Sequence, residues 1–281
     1  MTKTILVPTD FSPNAAAAAY YAAEVARAKG WKLHLVHTFL TYSSRFAEED
    51  FNKEIAIHEE NKVMQEITAL FQQLEKDFPG LEISFDCIQG DFSKELIAIA
   101  GQSGNELIVM GCQGASAAKY VLLGSNTLAI VQQSPIPVLA VPGSTRSAAW
   151  ERVGMLSNFQ ASEVAILEQF RALAGDEPFQ LTLLHVQEER QDVTAELEAW
   201  AQQIQDRTGV ALLHRTGCIS RRLDDSETLP QCIIHMAETE DLDLLLVTYN
   251  EKSFFRKLFG RNLVKALIQQ FPLPLLFIGS R

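Results

Sequence analysis

The sequence of this chain repeats itself once, and this repeat constrains the fold more than any other feature. Five short landmarks occur in the same order in the first and second halves of its 281 residues. The paired segments are TILVPTDFS with RVGMLSNFQ, KLHLVHTF with QLTLLHVQ, ELIVMG with DLLLVT, LLGSN with LFGRN, and SPIPVLAVPG with FPLPLLFIGS. Chance explains one such match but not five in order, so we interpret the chain as two copies of one domain.

The boundary between the two copies lies in a short segment without a hydrophobic pattern. GSTRSAA, residues 143–149, is small and polar, which is typical of linkers. We therefore predict one domain over residues 1–144 and a second over residues 150–281. Two domains of about 140 residues each also suit a chain of this length.

Each copy alternates apolar strand segments with helical segments. In the first copy the strand segments are ILVP, LHLVHTF, ISFDCIQG, ELIVM and PVLAVP. Helices are predicted from Pro13 to Gly30 with Ser12 as N-cap, over 50–78, over 94–103, and from Gly124 onward. This alternation predicts an α/β fold in which each copy is a doubly wound, five-stranded parallel sheet of Rossmann-like type.

Ligands of such folds bind outside the carboxyl ends of the strands, where the strand order reverses. Pro8, Thr9 and Asp10 follow the first strand, and Gly111 ends the fourth. Asp10 could accept hydrogen bonds from ribose hydroxyls, as acidic residues do in dinucleotide folds. These two clusters are expected to face each other at one edge of the sheet.

The stretch GCQGASAAKYVLLGSNT, residues 111–127, has the composition of a phosphate loop. Glycines let backbone N–H groups approach phosphate oxygens, and the N-terminus of the helix opened by Gly124 suits an anion. The spacing is neither G-x-G-x-x-G nor G-x-x-x-x-G-K-[ST]. A simpler interpretation stays open, in which Gly111 and Gly114 only turn the chain and Ser125 only caps a helix.

Gly111-x2-Gly114-x9-Gly124-Ser125 resembles the G-x2-G-x9-G-[ST] pattern of ATP-binding universal stress proteins. The resemblance extends over the whole first half, through the landmarks quoted above, and the second half looks like a degraded copy. The chain therefore resembles the tandem members of that family, whose fold is adenine nucleotide alpha hydrolase-like. In one-domain members two chains pair through the last strand, so the resemblance implies an intrachain pseudo-dimer here; a further homodimer stays open.

The resemblance implies a nucleotide site in the first half. Its expected residues are Pro8, Thr9, Asp10, Thr38, Met110, Gly111, Gly114, Gly124, Ser125 and Asn126. By this resemblance the first three lie on the adenosine side, with Asp10 on the ribose, and the last four form the phosphate loop. Thr38 and Asn126 are polar at positions where members of the family carry apolar residues.

The second half departs from the pattern at the positions that would serve the ligand. Asn158, Thr248, Glu251 and Arg261 stand where the first half has Asp10, Gly111, Gly114 and Ser125. A carboxylate in a phosphate loop repels a triphosphate, so residues 150–281 are expected to lack the ATP site. Because the strands persist while this set is lost, we interpret the set as serving a ligand and not the fold.

The leading functional hypothesis is an ATP-binding regulatory protein of the stress response. ATP, or a related adenine nucleotide, would bind with magnesium, because no lysine stands in the loop where a P-loop has one. A slow ATPase, or an autophosphorylating enzyme with Ser125 or Thr127 as acceptor, is the alternative, although no Walker-B carboxylate or arginine finger is evident. A nucleotide-free interaction scaffold is the third possibility. No catalytic residue is assigned.

Charge and composition exclude several other classes. The formal net charge is −11, which argues against nucleic acid as a partner, since phosphate neutralisation needs clustered Lys and Arg. No segment reaches the roughly 18 apolar residues of a membrane span. The four cysteines form no C-x-x-C and predict reduced thiols in a cytoplasmic protein without a metal site. The expected partners are an adenine nucleotide and an unidentified protein.

Three further features carry two interpretations each. His37 and His185 end the second strand of each copy and are expected to be hydrogen-bonded structural residues instead of catalysts. Residues 42–50 form either a lid over the site or a turn. The basic segment 251–262 is either a solvated loop or a site for another anion.

Overall fold

A computed structural model of the chain describes residues 2–40, 49–112, 124–145, 147–188, 192–219, 228–249 and 260–279. The candidate residue Gly114 lies outside these ranges. So do most of the predicted lid segment 42–50 and most of the basic segment 251–262.

Strands and helices alternate throughout the described residues. The first half contains β1 (Thr4–Pro8), α1 (Pro13–Lys29), β2 (Lys32–Phe39), α2 (Glu49–Asp77), β3 (Ile83–Gln89), α3 (Phe92–Ala100), β4 (Asn105–Gly111), α4 (Ser125–Gln133) and β5 (Val138–Val141). The second contains β6 (Arg152–Leu156), α5 (Ser162–Ala174), β7 (Gln180–Glu188), α6 (Thr194–Thr208), β8 (Leu212–Ile219), α7 (Leu229–Thr239), β9 (Leu244–Tyr249), α8 (Gly260–Gln270) and β10 (Leu275–Gly279).

The ten strands form one sheet in the order β3-β2-β1-β4-β5-β10-β9-β6-β7-β8. Within each half all pairings are parallel, and the order 3-2-1-4-5 of the first half recurs in the second as 8-7-6-9-10. The halves join through the antiparallel pair β5·β10, in which Leu276 lies opposite Leu139. The predicted α/β class, the tandem repeat and the intrachain pseudo-dimer are confirmed.

Helices cover both faces of the sheet because successive strand side chains point to opposite sides. Ile5 and Val7 belong to the buried cluster of one face, which also contains residues of α1, α2, α5 and α6. Leu6 belongs to the cluster of the other face, which also contains residues of α3, α4, α7 and α8. The helices cover the two faces of the sheet but not the carboxyl ends of its strands. The predicted site residues lie at these ends.

Helix α1 begins and ends at the residues that its sequence predicts. The Ser12 hydroxyl accepts a hydrogen bond from Ala15 N at 3.2 Å, and Pro13 occupies the first helical position. Gly30 follows the helix with φ 63°, the left-handed conformation that glycine adopts without strain. Helix α1 therefore holds the turn after β1 at a fixed place.

Helix α3 differs from its prediction by two to three residues at each end. It begins at Phe92 instead of Lys94, because the Asp91 carboxylate accepts a hydrogen bond from Lys94 N at 3.0 Å and so caps the helix earlier. It ends at Ala100, before Gly101.

Of the described helices, none is both long enough and apolar enough to pass through a bilayer.

Candidate functional site

A cavity of about 210 Å³ lies at the carboxyl ends of β1, β2 and β4, beside the N-terminus of α4. Nine of the ten predicted site residues line it: Pro8, Thr9, Asp10, Thr38, Met110, Gly111, Gly124, Ser125 and Asn126. The tenth, Gly114, is outside the described residues. The two clusters that follow β1 and β4 in sequence therefore meet at one cavity.

The turn between β1 and α1 is fixed by short hydrogen bonds. Thr9 Oγ1 accepts from Phe11 N at 3.1 Å, and Asp10 Oδ1 accepts from Ser12 N at the same distance. Phe11 has φ 60°, which is uncommon for a residue with a side chain, and its ring stacks on His37 with 4.5 Å between centroids. Asp10 is exposed on this turn, so its carboxylate is presented to the cavity.

His37 and His185 are both hydrogen-bonded to the backbone, as predicted. His37 Nδ1 lies 2.7 Å from Thr9 O, and His185 Nδ1 lies 2.8 Å from Ser157 O. A carbonyl oxygen only accepts, so Nδ1 carries the proton in both rings. The ring of Phe159 stacks on His185 with 4.6 Å between centroids, which repeats the arrangement of the first half.

Gly111 lines the cavity, and the packing of β4 against α1 leaves little room for a side chain at this position. A methyl group added to its Cα would lie 2.9 Å from Asn14 O, because the end of β4 passes close to the first turn of α1. The prediction that the residues lost from the second half do not serve the fold is therefore wrong for Gly111. The second half carries Thr248 there, in line with a helix α5 that starts one residue later than α1 by the repeat alignment.

The N-terminus of α4 lies directly at the cavity. Gly124 is its N-cap, with φ 77°, and Ser125 and Asn126 are exposed beside it. Thr127 is buried, and its hydroxyl donates to Gly111 O at 3.1 Å, which ties α4 to the end of β4. Of the two hydroxyls weighed as phosphate acceptors, only that of Ser125 is exposed.

Five lining residues are not among the ten predicted site residues: Ala15, His37, Phe92, Cys112 and Thr127. His37, Phe92 and Cys112 lie within three residues of the end of a strand, whereas Ala15 and Thr127 lie in the first turn of the helix that follows, so a search extended to both places would have found them. Burial raises the pKa of the Cys112 thiol to about 12, which keeps it protonated and makes it a small apolar residue.

The described lining contains no lysine or arginine. Its ionisable groups are Asp10, His37 and Cys112. An anion at this place would therefore be held by backbone N–H groups and hydroxyls at the start of α4, supported by the positive end of the helix dipole.

The corresponding place in the second half is almost filled. A cavity of about 10 Å³ remains there, lined by Leu156, Ser157, Asn158, Leu184, Val186, Leu229, Ile233 and Leu263. Val186 and Leu263 stand where the first half has Thr38 and Thr127. Apolar side chains thus replace both hydroxyls and occupy the volume.

A buried carboxylate organises the second half, and sequence reasoning missed it. Glu163 is 1% exposed; its Oε1 accepts from Asn158 N at 2.7 Å and from Gln160 N at 3.0 Å. Its Oε2 accepts from Ser157 Oγ at 2.7 Å and from Trp200 Nε1 at 2.8 Å. By the repeat alignment its counterpart is Ala15, which lines the cavity of the first half.

Comparisons with known proteins point to one family, both for the first half alone and for the whole chain. The model of the universal stress protein family matches residues 1–142. A universal stress protein of Methanocaldococcus jannaschii is 28% identical over 154 residues, which cover 50% of this chain and 95% of that protein. One from Thermus aquaticus is 32% identical over 143 residues, which cover 50% of this chain and 99% of that protein.

A solved structure extends the likeness to both halves. The crystal structure of a universal stress protein from Archaeoglobus fulgidus is 19% identical and has a TM-score of 0.71. It covers 99% of this chain, and this chain covers 98% of it, so the tandem fold is shared over the full length. The family model spans half of the residues and the fold spans nearly all of them: the chain belongs to the universal stress protein family.

Proposed function

We propose that the first half binds ATP, or a related adenine nucleotide, with magnesium, and that the protein is a regulatory module of a stress response. The observation that carries this proposal is the cavity, where nine residues predicted from sequence line one volume. The matching place in the second half carries apolar residues at the positions of Thr38 and Thr127, and a cavity of only about 10 Å³ remains there.

The lining supports a division of roles along the nucleotide. Pro8, Thr9, Thr38 and Met110 would contact the adenosine, and the exposed carboxylate of Asp10 would accept hydrogen bonds from ribose hydroxyls. Small-molecule pockets usually measure about 300 to 1,000 Å³. A smaller cavity fits enclosure of the nucleoside, with the phosphates at its edge beside Gly124, Ser125 and Asn126.

Magnesium would be held mainly by the nucleotide. The described residues contain no group of three side chains suited to a metal, and Asp10 is the one carboxylate in the described lining. Magnesium prefers oxygen ligands and keeps several waters, so phosphate oxygens and water suffice to bind it here.

Binding without rapid turnover is favoured by what surrounds the phosphate end. The described lining offers no cationic side chain to stabilise charge in a transition state, and the buried Thr127 hydroxyl already donates to Gly111 O. Of the two hydroxyls weighed as acceptors for autophosphorylation, that of Ser125 is the exposed one, whereas slow hydrolysis would transfer the phosphoryl group to water. The scaffold alternative predicts no nucleotide at all.

The test combines analysis of co-purified nucleotide by mass spectrometry with calorimetric titration of ATP, ADP, AMP and cyclic AMP. Asp10→Ala removes the ribose acceptor and should weaken ATP binding about tenfold or more, since a hydrogen bond to a charged group contributes about 1.5–3 kcal/mol. Asn158→Ala, the matched change in the second half, should leave it unchanged. Phosphate release is measured in parallel.

Each alternative has its own result in this test. Binding of ATP with neither phosphate release nor phosphorylation of the protein supports the regulatory module. Release of phosphate would replace it with the slow ATPase. Transfer of the γ-phosphoryl group to the protein with release of ADP, abolished by Ser125→Ala, would replace it with the autophosphorylating enzyme. If the wild-type protein carries no nucleotide and binds none of the four nucleotides tested, the interaction scaffold is the remaining hypothesis.

A further inference from the structure

Helix α4 of the first half packs against helix α8 of the second, and one contact between them lies at Gly124, which lines the cavity. A methyl group added to Gly124 Cα would lie 2.7 Å from Ile268 Cγ2 and 3.7 Å from Ile268 Cβ. Ile268 is 1% exposed, so its side chain is held in place by its surroundings. The side chain of Ile268, in the second half, therefore lies against Gly124, which lines the cavity of the first half.

Gly124 connects the contact with Ile268 to the start of α4. It is the N-cap of α4 with φ 77°, a conformation that places the N–H groups of Ser125 and Asn126 at the cavity. Packed interiors transmit displacements of a few tenths of an ångström instead of absorbing them. A displacement of Ile268 would therefore be passed to Gly124 and to the start of α4.

The relation between the halves is unequal. The two landmarks that flank this helix align Ile268 with Gln132 or with Val131, because the second half has one more residue between them. The second half keeps a cavity of only about 10 Å³ at its own corresponding place. One half has the cavity, and the other supplies the apolar side chain that supports it.

We propose that Ile268 is a positioning residue for the nucleotide site, and that nucleotide binding in the first half is coupled to the packing of α8 in the second. This inference rests on the proposed function. Coupling is reciprocal: if α8 favours the binding geometry of α4, bound nucleotide must stabilise α8 to the same extent. The second half would then be the part of the protein that responds to the nucleotide.

The test uses the full chain, ATP with magnesium, and three variants. Ile268→Ala removes Cγ2 and should weaken ATP binding at least about fivefold, the lower end of typical coupling between sites. Ile268→Val keeps Cγ2 and should bind within about twofold of the wild type. Leu267→Ala is the matched control, because Leu267 is equally buried but none of its atoms is among the three nearest to the added methyl group.

Hydrogen exchange supplies a measurement that a general loss of stability would not reproduce. In the wild-type protein and in Leu267→Ala, ATP should slow exchange of the amides of α8, residues 260–270. In Ile268→Ala, saturating ATP should slow exchange in α4 but no longer in α8.

The results separate failure of this inference from failure of the proposed function. If the wild-type protein binds no nucleotide, the proposed function fails. If ATP binds but α8 exchange is unchanged in the wild type, or if Ile268→Ala and Leu267→Ala weaken binding equally, the site is real and the coupling is absent. The wild-type exchange experiment decides this even if Ile268→Ala does not fold.

Discussion

At the scale of single residues, the two halves differ most clearly at Ala15 and Glu163. The small side chain of Ala15 lines the cavity of the first half, whereas the carboxylate of Glu163 takes hydrogen bonds from the turn after β6 and from Trp200. A buried charge is tolerated when every lone pair direction has a donor, and Glu163 receives four. In the second half, the buried carboxylate of Glu163 thus lies beside the end of β6.

We predict that Glu163→Ala destabilises the protein by about 3 kcal/mol, because it leaves several buried donors without a partner. Urea denaturation followed by circular dichroism measures the change. Glu168→Ala, at an exposed position of the same helix, should change stability by less than about 0.5 kcal/mol. Equal effects of the two changes would show that the Glu163 hydrogen bonds contribute little.

We also predict that Cys112 is nearly unreactive in the native protein. Its pKa is raised by burial from 9.0 to about 12, so almost no thiolate exists at pH 8. Iodoacetamide followed by peptide mapping should label Cys87, which is partly exposed, well before Cys112. Comparable labelling rates would contradict the burial.

The same pKa shift sets a pH window for stability. Because the folded state raises the pKa of Cys112, the unfolded chain loses this proton first as the pH increases. Its contribution to stability is therefore complete below about pH 9 and is lost progressively towards pH 12. Cys112→Ala should reduce the decrease of stability measured over this range.

Sequence reasoning located the site residues that stand directly after strand ends, since strand order alone brings those positions together. Glu163 could not be found in this way. Its side-chain partners Ser157 and Trp200 are 6 and 37 residues away, and only the packing of α5 on α6 unites them. The fold requirement at Gly111 was missed for the same reason, because it depends on the distance between β4 and α1.

At the scale of elements, the turns after β1 and β6 keep one geometry with different supports. Phe11 and Phe159 have φ of 60° and 59°, and each ring stacks on the histidine of the neighbouring strand. Local side chains hold the first turn, and Glu163 holds the second. The backbone path thus belongs to the fold, whereas the residues that could face a ligand vary.

We predict that Gly111→Ala destabilises the protein by about 1–3 kcal/mol and also weakens ATP binding. The added methyl group conflicts with the Asn14 carbonyl, so either β4 or the start of α1 must move. Calorimetric unfolding and titration measure both effects. At Gly101 a methyl group meets only ordinary contacts of 3.6 Å, so Gly101→Ala should be neutral or stabilise by up to about 1 kcal/mol.

At the scale of the whole molecule, the halves are joined by side chains as well as by β5·β10. Lys29 Nζ, at the end of α1, donates to Ala174 O at 2.9 Å and lies 3.2 Å from the Glu177 carboxylate. It also stands 4.7 Å from the ring of Trp150, whose Nε1 donates to Tyr21 OH at 2.9 Å. A cation at the carboxyl end of α5 also suits the dipole of that helix.

We predict that Lys29→Met lowers the free energy of unfolding of the full chain by about 1–3 kcal/mol, because the change removes a largely buried donor from carbonyl and carboxylate partners. Differential scanning calorimetry should show a lower Tm. Lys76→Met, at an exposed position of α2, is the control and should change little. A Tm equal to that of Lys76→Met would show that the halves do not depend on this contact.

The antiparallel pairing of β5 with β10 has a consequence for how the protein would respond to its ligand. A pair made from two identical chains must present two equal sites, whereas two copies within one chain are free to diverge. If the first half alone binds nucleotide, each pair of domains takes up a single molecule. For a chain that acts alone, the saturation curve is then hyperbolic, and the response to nucleotide concentration is graded, without a threshold.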